Sequence, residues 1–311
     1  MTSRQPDPVK QARDIPELRL ALEHACAERG LSAAGARLIH RYNNAVYLLP
    51  AEHAVARVVS GSVQRAQLSH AVTGWLVEHR GVAATVPLAT ALPVAIAPFT
   101  VVSFWRYYPQ PGTTTSPTSS HLARILRALH DVHGVPFELA RWQPLASLSA
   151  ALHDPVAAGN LSDRDRDWLL ARVAEIRARV LALDFPLGHG VIHGDAWAGN
   201  LLWHTAAGPD DVVIGDWDRV SHGPREVDLI PTWHAAIRYG RGEQWATDFA
   251  HVYGYDLAAW SGFPTLLAMR DLVQLTGPLR RARDHPEFAA ALRQRLDGIR
   301  RSDRPDVWRA L

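Results

Sequence analysis

The stretch Val191 to Trp203, VIHGDAWAGNLLW, sets three polar side chains, His193, Asp195 and Asn200, into an otherwise apolar run. GVIHGD ends strand-like residues at Gly194, a residue that can relax the backbone into a turn, so Asp195 is presented at a strand's end. One turn of chain, AWAGN, brings Asn200 back toward the same space. A second strand-like piece, DVVIGDWD, delivers Asp216 about twenty residues further on. Two carboxylates and an amide oxygen from neighbouring strand ends are a hard-oxygen donor set suited to Mg²⁺. Magnesium keeps waters and takes phosphate oxygens in preference to an all-protein cage, so the set points to a nucleotide. In phosphoryl transfer one carboxylate orients the attacking hydroxyl and accepts its proton, while other groups hold metal against the phosphates. Asp195, beside His193 and Gly194, is the candidate general base. Asn200 and Asp216 are the candidate metal ligands, with Asn200 adding a neutral oxygen to an already negative site.

The chain around these residues is 311 residues long, enough for one large domain or two lobes with separate cores. Its balance of 47% hydrophobic and 21% charged residues is that of a folded globular protein. No apolar run approaches the ~18 residues of a membrane span, so no membrane partner is expected. The polar start, MTSRQPDPVKQARD, lacks the apolar core of a secretory signal. Cys26 is the only cysteine, which excludes an internal disulfide and fits a reducing, cytoplasmic setting. It lies in a helical pattern, LEHACAERG, and reads as buried and inert. A net charge of +2 is too small to imply a nucleic-acid partner. From Leu181 to Ile230 eight acids face two arginines, a local −6 that leaves +8 for the rest. Acid gathered in one short region suits a cation site. Lys10 is the only lysine, so a basic group doing chemistry elsewhere is arginine or histidine.

The elements that must carry these residues follow from hydrophobic period and breakers. Asp14 to Arg29 has helix period and stops at Gly30. ARLIHRY, AVYLLP and AVARVVS read as short strands separated near Asn43–Asn44 and Glu52–His53. Gln64 to Arg80 reads as a helix stopped at Gly81, and VPLAT, PVAIAP and FTVVSFW as further strands. YYPQPGTTTSPTSS, rich in Pro, Thr and Ser, is a connector. SSHLARILRALHDVH puts Leu122, Ile125, Leu126 and Leu129 on one helix face. SDRDRDWLLARVAEIRARVLAL opens with Ser162 as N-cap and Asp165 three residues on. GVIH and DVVIGDW are the only strand-like pieces in this later part, and helices follow Asp228. A strand-rich small part followed by a helical large part is an α+β arrangement.

HGDAWAGN followed by IGDWD resembles the aminoglycoside phosphotransferase family, which shares the protein-kinase-like fold with choline kinases. The family pattern of His-Gly-Asp, four residues, Asn, then Asp-Trp is met by His193, Gly194, Asp195, Asn200, Asp216 and Trp217. GPREVDL, Gly223 to Leu229, resembles the family's sequel, with Asp228 structural. The resemblance implies a bilobal fold with a small antiparallel-sheet N-lobe and a larger, mainly helical C-lobe. Residues 1–105 would bind nucleotide, 106–120 form the hinge, and 121–311 carry the catalytic and acceptor-binding site. It also implies ATP, with GTP not excluded, Mg²⁺, and transfer of the γ-phosphate to a hydroxyl of a small molecule. An aminoglycoside-like antibiotic is one acceptor within that resemblance, and antibiotic resistance one role; the residues themselves establish neither. The alternative is a nucleotide-binding, catalytically weak kinase-like regulator.

On the same resemblance Asn43 and Asn44, in HRYNNAVYLLP, occupy the place of a phosphate-covering turn; an ordinary hairpin turn is the other reading. Arg57, in AVARVV, stands where relatives grip the α and β phosphates, and its guanidinium can do so in bidentate fashion. Kinases pair this cation with a glutamate on the small-lobe helix. Here that helix offers only Glu78 near its end, with Gln67 or His70 nearer the expected position. Either a neutral hydrogen bond replaces the pair or Arg57 needs none. SFWRYYPQPG is the expected hinge, where Phe104 or Trp105 packs near adenine or simply in the core. His130 and His133 lack a third metal ligand, and no nucleophile elbow or P-loop occurs. After Asp228, twelve arginines face nine acids, where a polycationic acceptor would want acid concentrated. Glu243, Asp248, Asp256 and Asp271 are the acids that could line an acceptor pocket there. Asp218 reads as a second metal contact or as structural, and Glu226 and Asp228 as braces for backbone amides.

Overall fold

The computed structural model describes residues 15–41, 44–110, 116–204, 211–301 and 307–309. The chain divides into two units, Met1–Thr114 with Leu202–Asp218, and Thr115–Leu201 with Arg219–Leu311. In chain order the elements begin α1 (Pro16–Glu28), β1 (Arg37–Arg41), β2 (Ala45–Leu49), β3 (Ala54–Ser60), α2 (Val63–Arg80), β4 (Val94–Ala97) and β5 (Thr100–Arg106). There follow α3 (Ser119–His130), α4 (Ala146–His153), α5 (Pro155–Ala158), α6 (Asp163–Leu181), β6 (His189–Ile192), β7 (Leu201–Trp203), β8 (Val212–Ile214) and β9 (Ser221–Pro224). The chain ends in α7 (Glu226–Arg238), α8 (Glu243–Tyr253), α9 (Phe263–Val273), α10 (Thr276–Arg281) and α11 (Pro286–Arg300). Among the described residues no helix is long and apolar enough to cross a membrane.

In the first unit a five-stranded antiparallel sheet runs in the order β1-β2-β3-β5-β4. Alternation along β3 and β5 sends Ala56, Val58, Val102 and Phe104 to one face, where they pack with Leu22, Ala25 and Cys26 of α1. Burial pushes the Cys26 thiol up to about 11, so it stays protonated and inert, as its sequence setting suggests. α2 starts at Ser62, whose Oγ accepts from Arg65 N at 3.3 Å. It stops at Gly81, which takes the left-handed conformation (φ 64) that a side chain would strain.

The VPLAT segment, expected as a strand, makes only an isolated bridge, Pro87 to Trp105. Val86 O and Leu88 N bond to Arg106 N and Phe104 O, but Pro87 has no N–H to continue a ladder. The pair β7 and β8 is also a departure: residues 202–218 group with the first unit, whereas the sequence pattern leaves them with the helical part. Ile214 N donates to Ala83 O and Ile214 O accepts from Thr85 N, both at 2.9 Å. Gln110 reinforces this, accepting from Trp203 N at 3.0 Å and donating to Trp203 O at 3.2 Å.

In the second unit the amphipathic face of α3 buries Leu122, Ile125, Leu126 and Leu129 as its period predicts. Ser162 caps α6 by accepting from Asp165 N at 3.2 Å. Along the later part of the chain four short strands, β6 to β9, replace the two strand-like pieces read in the sequence; β6 and β9, both of the second unit, pair antiparallel, Val191 opposite His222. β7 and β9 are three and four residues long, too short to show a period, and they exist because a partner strand supplies their hydrogen bonds.

Candidate active site

Arg57 is the centre of the first unit's group of candidate residues. Ala56 and Val58 face α1, so Arg57 faces the other way, in register with Ser103 of β5. Its Nη2 lies 2.6 Å from Asp216 Oδ1 and 2.9 Å from Asp218 Oδ2, and its Nη1 lies 3.2 Å from Asp218 Oδ1. The guanidinium therefore forks onto Asp218 and adds one bond to Asp216. The side chain is only 12% exposed. Burial works against its charge, but Asp218 and Asp216 outweigh burial and hold its pKa above the ordinary arginine value. This corrects the sequence expectation that a neutral partner, or none, replaces the helix glutamate. Gln67 is exposed on α2, and the partners come instead from the DWD triplet.

That triplet is held from both sides. The Trp217 ring is fully buried, and its Nε1 donates to Ile214 O at 3.0 Å. Trp217 O accepts from Ser69 Oγ of α2 at 3.2 Å. Between these anchors Asp216 is forced into the left-handed region (φ 63), which few residues other than glycine occupy. The Asp216 carboxylate is 42% exposed, with Arg57 on Oδ1. His70, the next group on α2, packs its ring edge-on to Trp105 at 4.4 Å. Its Nε2 is buried without a hydrogen-bond partner. Burial, with the nearby Arg57 charge adding to it, lowers the His70 pKa to about 4, so the ring is neutral near pH 7.

In the second unit β6 leads into His193 and Gly194. Gly194 has φ 80, and a Cβ there would lie 2.4 Å from Arg219 O, so no larger residue fits. Asp228, fully buried at the start of α7, accepts from His193 N at 2.7 Å and from Gly194 N at 2.8 Å. It also takes His130 Nε2 at 3.2 Å, which leaves His130 Nδ1 to accept from the Tyr253 hydroxyl at 2.7 Å. Burial, then the Asp228 charge, raises the Tyr253 pKa and keeps that hydroxyl protonated. Glu226 braces in the same manner, accepting from Leu187 N at 2.7 Å.

On this clamped backbone Asp195 N donates to His193 Nδ1 at 3.3 Å. The Asn200 amide nitrogen donates to Asp195 O at 2.9 Å, so its amide oxygen is not the atom used in that bond. The Asp195 carboxylate is 30% exposed. Arg270 Nη1 and Nη2 reach its Oδ1 at 3.3 and 3.4 Å, and Arg219 Nε lies 3.9 Å from Oδ2.

The two units thus divide the sequence-derived residues: Asp195 and Asn200 lie in the second, Arg57 and Asp216 in the first. Phe104 is fully buried against α1, on the face opposite Arg57, and has no ring surface for a base. Trp105 is on the Arg57 face and nearly buried, its Nε1 donating to Ser103 Oγ at 3.0 Å. Asn44 directly precedes β2; Asn43 lies outside the described residues. Asp271 does not line a pocket: it is buried in bonds to Arg238 (3.0 and 2.7 Å) and His234 (3.1 Å). Arg270, Tyr253 and the His130–Asp228 bond went unread because each joins residues far apart in sequence.

The donors fit magnesium. Asn200 and Asp216 offer oxygen only, and among the described residues no three Asp, Glu, His or Cys side chains form a metal cluster by themselves. Oxygen donors this few suit an ion that takes most of its ligands from phosphate and water, which is the habit of Mg²⁺.

Solved structures share the α+β, kinase-like fold. A choline/ethanolamine kinase family protein from Mesorhizobium loti has 18% identity and a TM-score of 0.60 over 90% of this chain and 94% of its own. The GDP and kanamycin complex of APH(2")-IIia has 14% identity and a TM-score of 0.62 over 92% of this chain and 100% of its own. The spectinomycin phosphotransferase APH(9)-Ia, in complex with ADP and spectinomycin, has 15% identity and a TM-score of 0.55 over 87% of this chain and 90% of its own. Identities this low carry the fold alone. No curated protein is significantly similar in sequence. Residues 35–263 match the phosphotransferase enzyme family, a span that holds Arg57, Asp195, Asn200 and Asp216. That is well over half of the 311 residues, and the chain belongs to the phosphotransferase enzyme family.

Proposed function

We propose that this chain transfers the γ-phosphate of ATP to a hydroxyl of a small molecule, with Mg²⁺ as the metal. The observation that carries the reading is the Asp195 loop: Asp228 holds its backbone from beneath by two amide bonds while the Asp195 carboxylate stays part-exposed. A carboxylate fixed in place but accessible is what a general base for a hydroxyl requires. Asp195 orients the acceptor O–H and takes its proton as the oxygen bonds to Pγ. The Pγ–O bond to the diphosphate breaks, and ADP leaves with the electron pair. Arg57 exchanges its carboxylate partners for the α and β phosphates, a trade of one bidentate anion for another. That exchange releases Asp216, which with Asn200 would hold Mg²⁺. The bound ion supplies charge neutralisation and orientation of the β and γ phosphates. Asn44, directly ahead of β2, covers the phosphates, and Asn43, its neighbour in sequence, shares that role. Membership of the family and the GDP and ADP complexes of the related folds support a nucleoside triphosphate as donor.

The test is an ADP-release screen with ATP and GTP across aminoglycosides, macrolides, amino alcohols, sugars and sugar acids, with Asp195→Ala alongside. Activity with a true acceptor is expected to fall roughly 10²- to 10⁴-fold in the variant. Undiminished turnover in Asp195→Ala, or turnover without any nucleotide, overturns the reading.

A further inference from the structure

We propose that the acceptor carries an anionic group, a carboxylate or a phosphate ester, close to the reacting hydroxyl, and that Arg270 is the residue that selects it. The inference rests on Asp195 acting as the base. Arg270 projects from α9 with its side chain only 13% exposed, and both terminal nitrogens aim at Asp195 Oδ1, at 3.3 and 3.4 Å. Those contacts are long for a charge-assisted pair, which closes to about 2.7–2.9 Å when the partners are matched. Arg219 adds a second guanidinium on the other carboxylate oxygen, at 3.9 Å. One carboxylate between two guanidiniums leaves a local charge of +1.

A hydroxyl hydrogen-bonded to Asp195 Oδ1 sits about 2.6–3.2 Å from it, which puts the Arg270 nitrogens within roughly 6.6 Å of the acceptor oxygen. An anionic group two or three bonds from the hydroxyl carbon spans that distance. The chemistry asks for one. As the O–H proton passes to Asp195, the O–Pγ bond forms and the bond from Pγ to the leaving diphosphate breaks. Asp195 is then neutral, and the mostly buried Arg270 loses that counter-charge at the moment of transfer. An acceptor anion on Arg270 keeps the cation compensated through the step. An ammonium group beside the hydroxyl would meet two like charges instead. Three acids of this unit are already engaged: Asp271 by Arg238 and His234, Asp228 by backbone amides, and Asp256 as the cap on Ala258 N at 2.9 Å.

The experiment measures ATP-dependent phosphorylation of matched probes: glycerate, gluconate and glucose 6-phosphate against glycerol, glucose, kanamycin and 1-amino-2-propanol. The wild type is expected to prefer an anionic probe over its neutral partner by at least tenfold in kcat/KM, and carboxylate against phosphate probes tells which anion is held. In Arg270→Met the KM for the best anionic probe should rise roughly 10- to 100-fold, as for loss of a charge-assisted hydrogen bond, with a smaller change in kcat. Arg270→Lys should recover part of it. A rise in kcat/KM for the neutral partner relative to the anion marks lost selection and separates this role from a structural one. Asp195-dependent phosphorylation of kanamycin or aminopropanol in preference to every anion overturns the inference and leaves the phosphotransferase reading standing. The same holds if Arg270→Met leaves the anion KM unchanged. No transfer to any probe in this panel or in the wider acceptor screen ends both.

Discussion

Each unit keeps an arginine on one of its key carboxylates, and the two arrangements have opposite charge surplus. In the first, one guanidinium faces two carboxylates at 2.6 to 3.2 Å, a tight group with net charge −1. In the second, one carboxylate faces two guanidiniums at 3.3 to 3.9 Å, a loose group with net charge +1. A group short of positive charge is completed by a cation, and a group short of negative charge by an anion. Under the proposed function the difference suits the Arg57 group to a metal ion and the Asp195 group to an anionic acceptor. It also teaches that the arginine in each case plays a different part. Arg57 is held on its carboxylates at 2.6 to 3.2 Å, while Arg270 meets Asp195 at 3.3 and 3.4 Å.

Arg57→Met should break the comparison most severely. It leaves Asp216 and Asp218 as unpaired like charges beside each other and removes the phosphate grip. We expect kcat/KM for ATP to fall roughly 10²- to 10³-fold, more than the Arg270→Met effect on the acceptor, because two roles are lost together. Isothermal titration of the nucleotide with Mg²⁺ checks it. If nucleotide affinity is unchanged, Arg57 is only a strut for the DWD triplet.

Gly194→Ala comes next and acts on the second group alone. The added methyl meets Arg219 O at 2.4 Å and sits on a backbone of φ 80, so the loop must shift. We expect about 2–4 kcal/mol of lost stability and a kcat drop of roughly 10²-fold as Asp195 leaves its position. Nucleotide affinity, which the proposed function rests chiefly on Arg57 and Asp216, should stay within about twofold. A parallel loss of nucleotide binding in urea-stable protein would mean that the two groups are not separable.

How much of this could be read in the sequence depends on the range of each interaction. The periodic face of α3, with Leu122, Ile125, Leu126 and Leu129, is buried as read, because helix period is written in local spacing. Ser162 is a real N-cap for the same reason. VPLAT misled because apolar, β-branched composition is satisfied whether or not Pro87 can join a ladder. β9, SHGP, has no strand-like composition at all and is strand only through β6. In the candidate site the motif pair marked Asp195, Asn200 and Asp216, and the family resemblance marked Arg57. What surrounds them was out of reach. Arg57 and Asp218 are 161 residues apart, His130 and Asp228 are 98 apart, and Arg270 and Asp195 are 75 apart. No local pattern encodes a side-chain pair across such separations; only the fold brings them together.

The smallest expected effect tests the charge balance of the first group from within. His70 lies beside Arg57, buried, with Nε2 unpartnered, and its pKa of about 4 sits below the ordinary value near 6.5. The neutral ring adds nothing to the −1 of the Arg57 group. Between those two pH values the unfolded chain binds a proton that the folded chain does not, so stability rises with pH across that interval. His70 is neutral in both states above about pH 6.5 and has no effect there; as pH falls toward 4 its reluctance to take a proton destabilises the fold by up to about 3 kcal/mol. His234, also held near 4, chiefly by burial, gives the second unit a similar slope. His70→Phe keeps a ring against Trp105, removes the orphaned nitrogen and removes one of the two slopes. Denaturant unfolding at pH 7 should show the variant as stable as wild type or slightly more so. Measured from pH 6.5 to 4.5, the variant should lose stability about half as steeply, and equal slopes in the two proteins would show that the buried ring does not resist its proton.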